Sequence, residues 1–285
     1  SFAVFGYGTD TCGSLRIPAA FNSLFGLRPT KGLISMDGVM PVSHSQDVVG
    51  PLARTAEDLA VALDAVVGFD ADDPATRVFG DREPPRFVDA LRTDALVGVR
   101  IGVLEAYLDH ELLSAEVQSL LVPEALLASS GDLGEQLHAS IRDKTGELEA
   151  TMVLIREAYQ RMEDLGAEIV PIEIPGLDTL LQGSSVVEYE FKFALESYLR
   201  RVPSSPVRSL ADILERGLYH PSLEAILRER NRPLTLDSDE YRRALRRRDA
   251  VRETLLAVME RDDLDAISYP TMRRGPAPLG EPQRG

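Results

Sequence analysis

A serine placed behind small residues is the feature of this sequence that could carry covalent chemistry. Ser14 follows Gly13 in the glycine-rich segment Gly6–Ala20. A nucleophilic serine needs an approachable hydroxyl, a base that takes its proton, and backbone N–H groups directed at the oxyanion of the substrate. Small residues before the serine permit such an arrangement. A tight turn with a structural or phosphate-binding role has the same composition, so composition alone leaves the chemistry open.

Histidine would be required for a Ser-His-Asp triad. The four histidines, His44, His110, His138 and His220, are isolated from one another in the sequence. His44 lies in a polar loop segment and is the one candidate for a contact with the site. Hydrogen bonding within its own loop is the alternative that this composition favours.

Two further residues near the serine could be taken for catalytic groups. Cys12 could act as a thiol nucleophile, but no partner histidine is evident and small buried cysteines are usually inert. Lys31 could be taken for the base, but a lysine base must be buried to lose its proton near neutral pH. The sequence contains no cluster of cysteines and histidines that would predict a metal site. Gly6 and Gly8 lack the third glycine of a dinucleotide site. We therefore expect neither a metal nor a cofactor.

Residues Gly8–Ala19 read Gly-Thr-Asp-Thr-Cys-Gly-Ser-Leu-Arg-Ile-Pro-Ala. This segment resembles the amidase signature family, whose pattern is Gly-Thr-Asp-Thr-Gly-Gly-Ser-Ile-Arg-Ile-Pro-Ala, with departures at Cys12 and Leu15. The resemblance continues through Gly26–Thr30 and Asp47–Thr55 and is weaker farther along the chain. It implies an α/β fold with a mixed β-sheet wrapped by helices, incomplete at both ends of this chain.

The resemblance also implies a reaction, the hydrolysis of amides through an acyl-enzyme by a Ser-cis-Ser-Lys triad. Ser14 matches the nucleophile of the family. The backbone amides that match the oxyanion hole belong to Thr11, Cys12, Gly13 and Ser14. Asp10 and Arg16 flank the nucleophile, and by resemblance we expect them to pair and stiffen the loop. At Lys31 the resemblance implies a basic or neutral residue at the surface.

The other two members of the triad, a bridging serine and a lysine, lie upstream of the nucleophile in the family, farther back than Ser1. The sequence therefore predicts an internal segment of an amidase that acts on a small-molecule carboxamide and is inactive or weak by itself. One alternative is the glutaminase-type subunit of a tRNA-dependent amidotransferase. Another, from a different class, is a truncated copy without catalysis.

Charge and hydropathy limit the partners of this chain. A formal net charge of −15 and a pI near 4.8 argue against nucleic acid and anionic membranes as partners, since both are bound mainly through Lys and Arg. No apolar run is long enough to span a bilayer, and residues 1–20 do not read as a signal peptide. The sequence favours a cytoplasmic location, although a signal peptide upstream of residue 1 is left open. A homodimer is left open as well.

The elements that must position the serine follow from hydrophobic patterning. Thr55 with an acid three residues on predicts a helix cap. Strand-like runs at 97–104 and 167–174 flank a helix predicted over 146–165. Pro171 in the second run favours a sheet edge or an early end of that strand. The strand-helix-strand order predicts a parallel crossover, and a strand at 264–270 is expected to return to the sheet.

The remaining stretch, 177–261, is mostly helical in pattern, and its arginines at 242–252 are predicted to form a solvated face. We expect a single partial domain over 1–285. Residues 106–144 match the family less well, which leaves an insertion there open.

Overall fold

A computed structural model of the chain describes residues 3–80, 82–108, 132–273 and 275–278. His110 lies outside the described residues, and so does the side chain of His138. The Cα positions group into two compact units, residues 1–91 with 176–252 and residues 92–175 with 253–285. That these units form a single domain stays a prediction. None of the helices in the described ranges is long and apolar enough to cross a membrane.

The described chain contains both strands and helices. The strands are β1 Phe5–Asp10, β2 Phe25–Gly26, β3 Val48–Ala53, β4 Arg100–Leu104, β5 Glu168–Ile172 and β6 Ala266–Ser268. The α-helices are α1 Arg16–Phe21, α2 Ala56–Asp64, α3 Asp132–Asp164, α4 Leu177–Leu181, α5 Val187–Arg200, α6 Leu210–Glu215, α7 Glu224–Arg230 and α8 Asp239–Arg261. Short 3-10 helices cover Pro74–Phe79, Val88–Ala90, Glu105–Tyr107 and Pro221–Leu223.

An antiparallel sheet of the order β1-β3-β2 forms the frame of the first unit. The central strand β3 is largely buried and pairs with β1 so that Gly50 lies opposite Gly8 and Val48 opposite Asp10. Helix α2 follows β3, and the Thr55 hydroxyl accepts a hydrogen bond from the Asp58 N–H at 3.0 Å, which confirms the predicted cap.

Helices α5, α6 and α7 pack around an apolar cluster in the same unit. The buried members of this cluster are Leu195, Leu199, Val207, Leu210 and Leu214. Pro203, Pro206 and Pro233 lie between the helices of this stretch, and Pro221 begins a 3-10 helix.

A parallel sheet of the order β5-β4-β6 forms the second unit. Helix α3 runs between β4 and β5 and packs Tyr159 against Ile101 and Val103. The predicted crossover and the return of the chain as β6 are confirmed, and β5, with Pro171, lies at an edge. The α/β class is confirmed as well, with the antiparallel and parallel pairings found in two separate described sheets.

Helix α3 begins at Asp132, well before the predicted start at Gly146. A glycine inside a helix costs only about 1 kcal/mol relative to alanine, so it need not mark a boundary. The predicted end is confirmed, because Gly166 adopts a left-handed conformation with a φ of 97° directly after the last turn.

Candidate active site

The loop after β1 is folded around the carboxylate of Asp10. This side chain is fully buried and accepts hydrogen bonds from the N–H of Gly13 at 2.8 Å and of Leu15 at 3.3 Å. Gly13 has a φ of 120°, a conformation that glycine adopts without strain, and an added Cβ would lie 2.8 Å from Ile17 Cδ1. The glycine before the serine is therefore favoured chiefly by its backbone conformation, because the end of the Ile17 side chain could move aside.

Two arginines hold the same carboxylate from the other side. Arg16 donates from Nε to Oδ2 at 3.1 Å and from Nη2 to Oδ1 at 3.3 Å, and Arg28 Nε lies 3.5 Å from Oδ1. Burial raises the pKa of Asp10, but the Arg16 guanidinium and the N–H groups of Gly13 and Leu15 outweigh it and hold this pKa below its usual range. The carboxylate is thus a charged anchor rather than a proton carrier.

Ser14 lies on the outer side of this loop. Its neighbour Leu15 is completely buried, whereas Ser14 is exposed, so the hydroxyl faces outward. In the described part of the chain, the Ser14 hydroxyl and the N–H groups of Cys12 and Ser14 form no hydrogen bond. The Gly13 N–H is engaged by Asp10. Of the four amides expected to line an oxyanion hole, those of Thr11, Cys12 and Ser14 therefore form no hydrogen bond within the described residues.

A second loop, 42–47, closes against the first. The Thr11 hydroxyl donates to Asp47 Oδ1 at 2.6 Å, while Asp47 Oδ2 accepts from the N–H groups of Val42 at 2.7 Å and Ser43 at 2.9 Å. Gln46 Nε2 donates to the Thr11 carbonyl at 2.8 Å. These contacts fix the start of loop 11–15 to the segment that leads into β3. We call loop 11–15 the nucleophile loop, after the role that the resemblance implies for Ser14.

Glu190 anchors the second loop from helix α5. It is 1% exposed and accepts from Ser43 Oγ at 2.5 Å, from the Ser45 N–H at 2.9 Å, from Ser45 Oγ, and from Tyr241 Oη at 2.7 Å. Burial raises its pKa, but these donors outweigh burial and lower the pKa below the usual glutamate value. The pKa of Tyr241 rises to about 12, because burial and the nearby carboxylate both disfavour the phenolate.

Sequence reasoning missed Glu190, although a signal was present. With Val187 and Ala194 it occupies positions three and four residues apart on one helical stripe, and both neighbours are buried. A carboxylate on an apolar stripe must find donors. That reasoning predicts a buried hydrogen-bond hub but not its partners.

The model of the family described as Amidase matches residues 1–128 and 143–285 of this chain. The chain belongs to the Amidase family. The unmatched residues 129–142 fall within the range that resembles the family less well in sequence.

Relatives of this amidase-family chain include a probable amidase of Arabidopsis thaliana, 31% identical over 216 residues, covering 73% of this chain and 33% of the plant protein. A glutamyl-tRNA(Gln) amidotransferase subunit of Methanothermobacter thermautotrophicus is 28% identical over 280 residues, covering 96% of this chain and 49% of that protein. The solved peptide amidase of Stenotrophomonas maltophilia matches with a TM-score of 0.68 at 31% identity, covering 94% of this chain and 51% of that one. The chain thus spans about half or less of the length of these relatives.

Lys31 and His44 lie together at a cavity in the first unit. Both line a cavity of about 190 Å³ to which Ser14 does not contribute. Lys31 is half-buried rather than at the surface as expected, and burial lowers its pKa despite nearby carboxylates such as Asp73. Its Nζ donates to the Asp47 main-chain oxygen at 3.0 Å. No hydrogen bond joins Lys31 to Ser14 within the described residues.

Cys12 is exposed, not buried. Partial desolvation of the thiol, followed by the negative charges of Asp10 and Glu188, raises its pKa. A raised pKa keeps the group as a thiol at neutral pH, which disfavours thiolate chemistry at this position. No group of three or more metal-ligating side chains that could hold an ion is found among the described residues.

Proposed function

We propose that this chain carries the nucleophile of an amidase that hydrolyses a carboxamide C–N bond through an acyl-enzyme on Ser14. The observation that supports it is the nucleophile loop itself. An outward hydroxyl and the unengaged N–H groups of Cys12 and Ser14 share one turn, and the buried Asp10 holds that turn in place. Donors that are already fixed before reaction stabilise a developing oxyanion most effectively.

In the proposed reaction, Ser14 Oγ attacks the substrate carbonyl carbon while its proton passes to a base. The carbonyl oxygen becomes an oxyanion that accepts hydrogen bonds from the Cys12 and Ser14 N–H groups. The C–N bond then breaks, and the leaving nitrogen takes a proton to depart as ammonia or an amine. Water next attacks the ester, the bond to Ser14 breaks, and a carboxylic acid leaves as the serine regains its proton. Amide and water are thereby converted to acid and amine.

The base in this proposal comes from the resemblance, which places a lysine, relayed by a second serine, upstream of Ser1. In the described residues the Ser14 hydroxyl has no hydrogen-bonded partner that could act as a base. We therefore expect the 285-residue chain alone to turn over amides poorly, and the protein made from its full reading frame to be active. The assignment of the base stays a prediction.

A peptide carboxamide is the first substrate class to test, because the chain is similar over almost its whole length to a peptide amidase. Ammonia release from C-terminally amidated peptides should be measured with the full-reading-frame protein. Ser14→Ala should abolish turnover and labelling by a fluorophosphonate probe. Ser204→Ala is the matched control, since Ser204 is also exposed and forms no hydrogen bond in the described part of the chain. Labelling of a serine other than Ser14 would refute the assignment.

Glutamine hydrolysis within an amidotransferase is the second candidate. It is supported by the similarity of 96% of this chain to the glutamyl-tRNA(Gln) amidotransferase subunit of Methanothermobacter thermautotrophicus. Glutaminase activity that rises when candidate partner proteins are added, together with weak peptide amidase activity, would favour it. Absence of labelling and of both activities in the folded full-reading-frame protein would favour the non-catalytic alternative.

A further inference from the structure

The side chain of Gln46 bridges helix α8 and the nucleophile loop. Its Oε1 accepts a hydrogen bond from Arg248 Nη1 at 3.0 Å. Its Nε2 donates to the Thr11 carbonyl oxygen at 2.8 Å and contacts Cys12 Sγ at 3.3 Å. The side-chain amide of Gln46 is therefore bonded through its oxygen to Arg248 and through its nitrogen to the main chain of Thr11, three residues before Ser14.

Arg248 determines which way round this amide lies. A guanidinium has donors and no acceptor, so it can face only the oxygen of the glutamine. The nitrogen then has to face Thr11, whose carbonyl oxygen can only accept. The two partners thus assign the orientation of an amide group that is otherwise ambiguous.

The contact with the Thr11 carbonyl has a consequence for the next amide. The Thr11–Cys12 peptide is trans, and in a planar trans peptide the C=O and N–H bonds point in opposite directions. Holding the Thr11 carbonyl toward Gln46 therefore turns the Cys12 N–H away from Gln46. The Cys12 N–H is one of the loop N–H groups that form no hydrogen bond in the described residues.

We propose that Gln46, oriented by Arg248, is a positioning residue that sets the direction of the Cys12 N–H as an oxyanion donor. The proposal rests on the proposed amide hydrolysis at Ser14 and extends it to a residue outside the nucleophile loop. Gln46 touches neither substrate nor reacting atoms in this account. It acts by keeping one peptide plane from rotating.

The backbone of Gln46 is suited to this role because it is itself fixed. Its carbonyl oxygen accepts from Arg28 Nη2 at 2.7 Å. Two serines that precede it in the same loop are held by buried carboxylates, Ser45 by that of Glu190 and Ser43 by that of Asp47. The side chain therefore projects from a rigid base, which is what a precise orientation of another peptide requires.

The test uses the full-reading-frame protein with Gln46→Met, Gln46→Glu and Arg248→Met. Methionine keeps the length of the side chain and removes the donor, while a glutamate would place an oxygen against the Thr11 carbonyl. Loss of a single oxyanion donor in other hydrolases lowers kcat about 10²- to 10³-fold. For misdirection of one donor by Gln46→Met we expect a fall of about 10- to 100-fold in kcat with KM little changed, by the same principle. The fall in kcat should be larger for Gln46→Glu and smaller for Arg248→Met.

Binding of a transition-state mimic distinguishes a positioning role of Gln46 from a general loss of stability. A peptide boronic acid forms a tetrahedral adduct with the serine, so its Ki should rise in parallel with the loss of kcat/KM. The melting temperature should stay close to that of the parent. Arg246→Met is the matched control, because Arg246 is exposed on the same helix and is not bonded to Gln46.

The outcomes distinguish this inference from the proposed function. If Ser14→Ala abolishes turnover while folded Gln46→Met keeps the parental kcat and boronate affinity, the role of Gln46 is refuted and the function stands. If Ser14→Ala remains active, the proposed function itself fails. Should Gln46→Met not fold, Arg248→Met decides, since an unchanged boronate affinity in that variant contradicts the proposal.

Discussion

The buried carboxylate of Asp10 and the guanidinium of Arg16 are joined by two hydrogen bonds, at 3.1 and 3.3 Å, across the turn that carries Ser14. Asp10 ends β1 and Arg16 begins α1. The pair therefore closes the nucleophile loop between a strand and a helix. Because two-point contacts fix direction as well as distance, the ion pair restrains the loop more than a single contact would.

The first prediction concerns the coupling of these two residues. Asp10→Asn and Arg16→Gln should each lower kcat, because each releases the loop that holds Ser14. The double variant should lose less than the product of the two single losses, since the second change removes a partner that is already absent. Steady-state kinetics on the full-reading-frame protein provide the measurement. Strictly multiplicative losses would show that the residues act independently.

The second prediction concerns pH. The pKa of Asp10 is lowered in the folded protein, so its ion pair contributes stability at pH values above the ordinary aspartate pKa of about 3.9. That contribution is lost as the pH falls through the lower, folded pKa. Urea unfolding should therefore show a large difference in the free energy of unfolding between the parent and Asp10→Asn at pH 7. The difference should shrink steadily below about pH 4, and a difference independent of pH would contradict the assignment.

Local patterns predicted the frame of this structure well. The Thr55 cap, the parallel pairing of β4 with β5 and the edge position of Pro171 all follow from spacing and residue type within short segments. The cap and the individual strands depend on neighbours a few residues apart, and the parallel pairing then follows from the strand-helix-strand order. They are therefore readable before any tertiary contact is known.

The contacts that hold the nucleophile loop could not be predicted in this way. Glu190 meets Ser43 across 147 residues of sequence, and Arg248 meets Gln46 across 202. Arg248 belongs to an arginine-rich stretch whose pattern predicts a solvated face, but Arg248 itself is half-buried and bonds Gln46. Sequence pattern identifies a charged helix face, but packing decides which arginine turns inward.

The third prediction tests Glu190 as a structural hub. Glu190→Gln replaces one acceptor oxygen with a donor that faces hydroxyl or N–H groups, so we expect a loss of about 2–3 kcal/mol in the free energy of unfolding. Tyr241→Phe removes one of the donors and leaves the others, so it should cost only about 1 kcal/mol. Urea denaturation of both variants at neutral pH is the measurement. Equal losses would mean that the other donors contribute little.

The fourth prediction compares two glycines in one sheet. At Gly50 an added Cβ would lie 2.0 Å from the Leu27 carbonyl oxygen and 2.8 Å from Leu15 Cδ1, whereas at Gly6 it would meet nothing within 4 Å. Gly50→Ala should therefore destabilise the fold by about 3 kcal/mol or more, because backbone has to move. Gly6→Ala, the control on the neighbouring strand, should stay within about 0.5 kcal/mol of the parent. A similar Tm for both variants would show that the backbone around Gly50 moves more easily than its packing indicates.

The fifth prediction concerns Cys12, which stands where the family pattern has glycine and is the one cysteine of the chain. Desolvation, Asp10 and Glu188 raise the pKa of its thiol, so its alkylation by iodoacetamide should be slow at pH 7. The rate should rise with a midpoint above the ordinary cysteine pKa of about 8.5. With a single cysteine, mass spectrometry of the modified peptide reports this site alone. Cys12→Gly should keep amidase activity in the full-reading-frame protein, because the proposed reaction uses only the main-chain N–H at this position. A complete loss in Cys12→Gly, with a thiol that reacts rapidly at neutral pH, would instead indicate that the sulfur takes part in the chemistry.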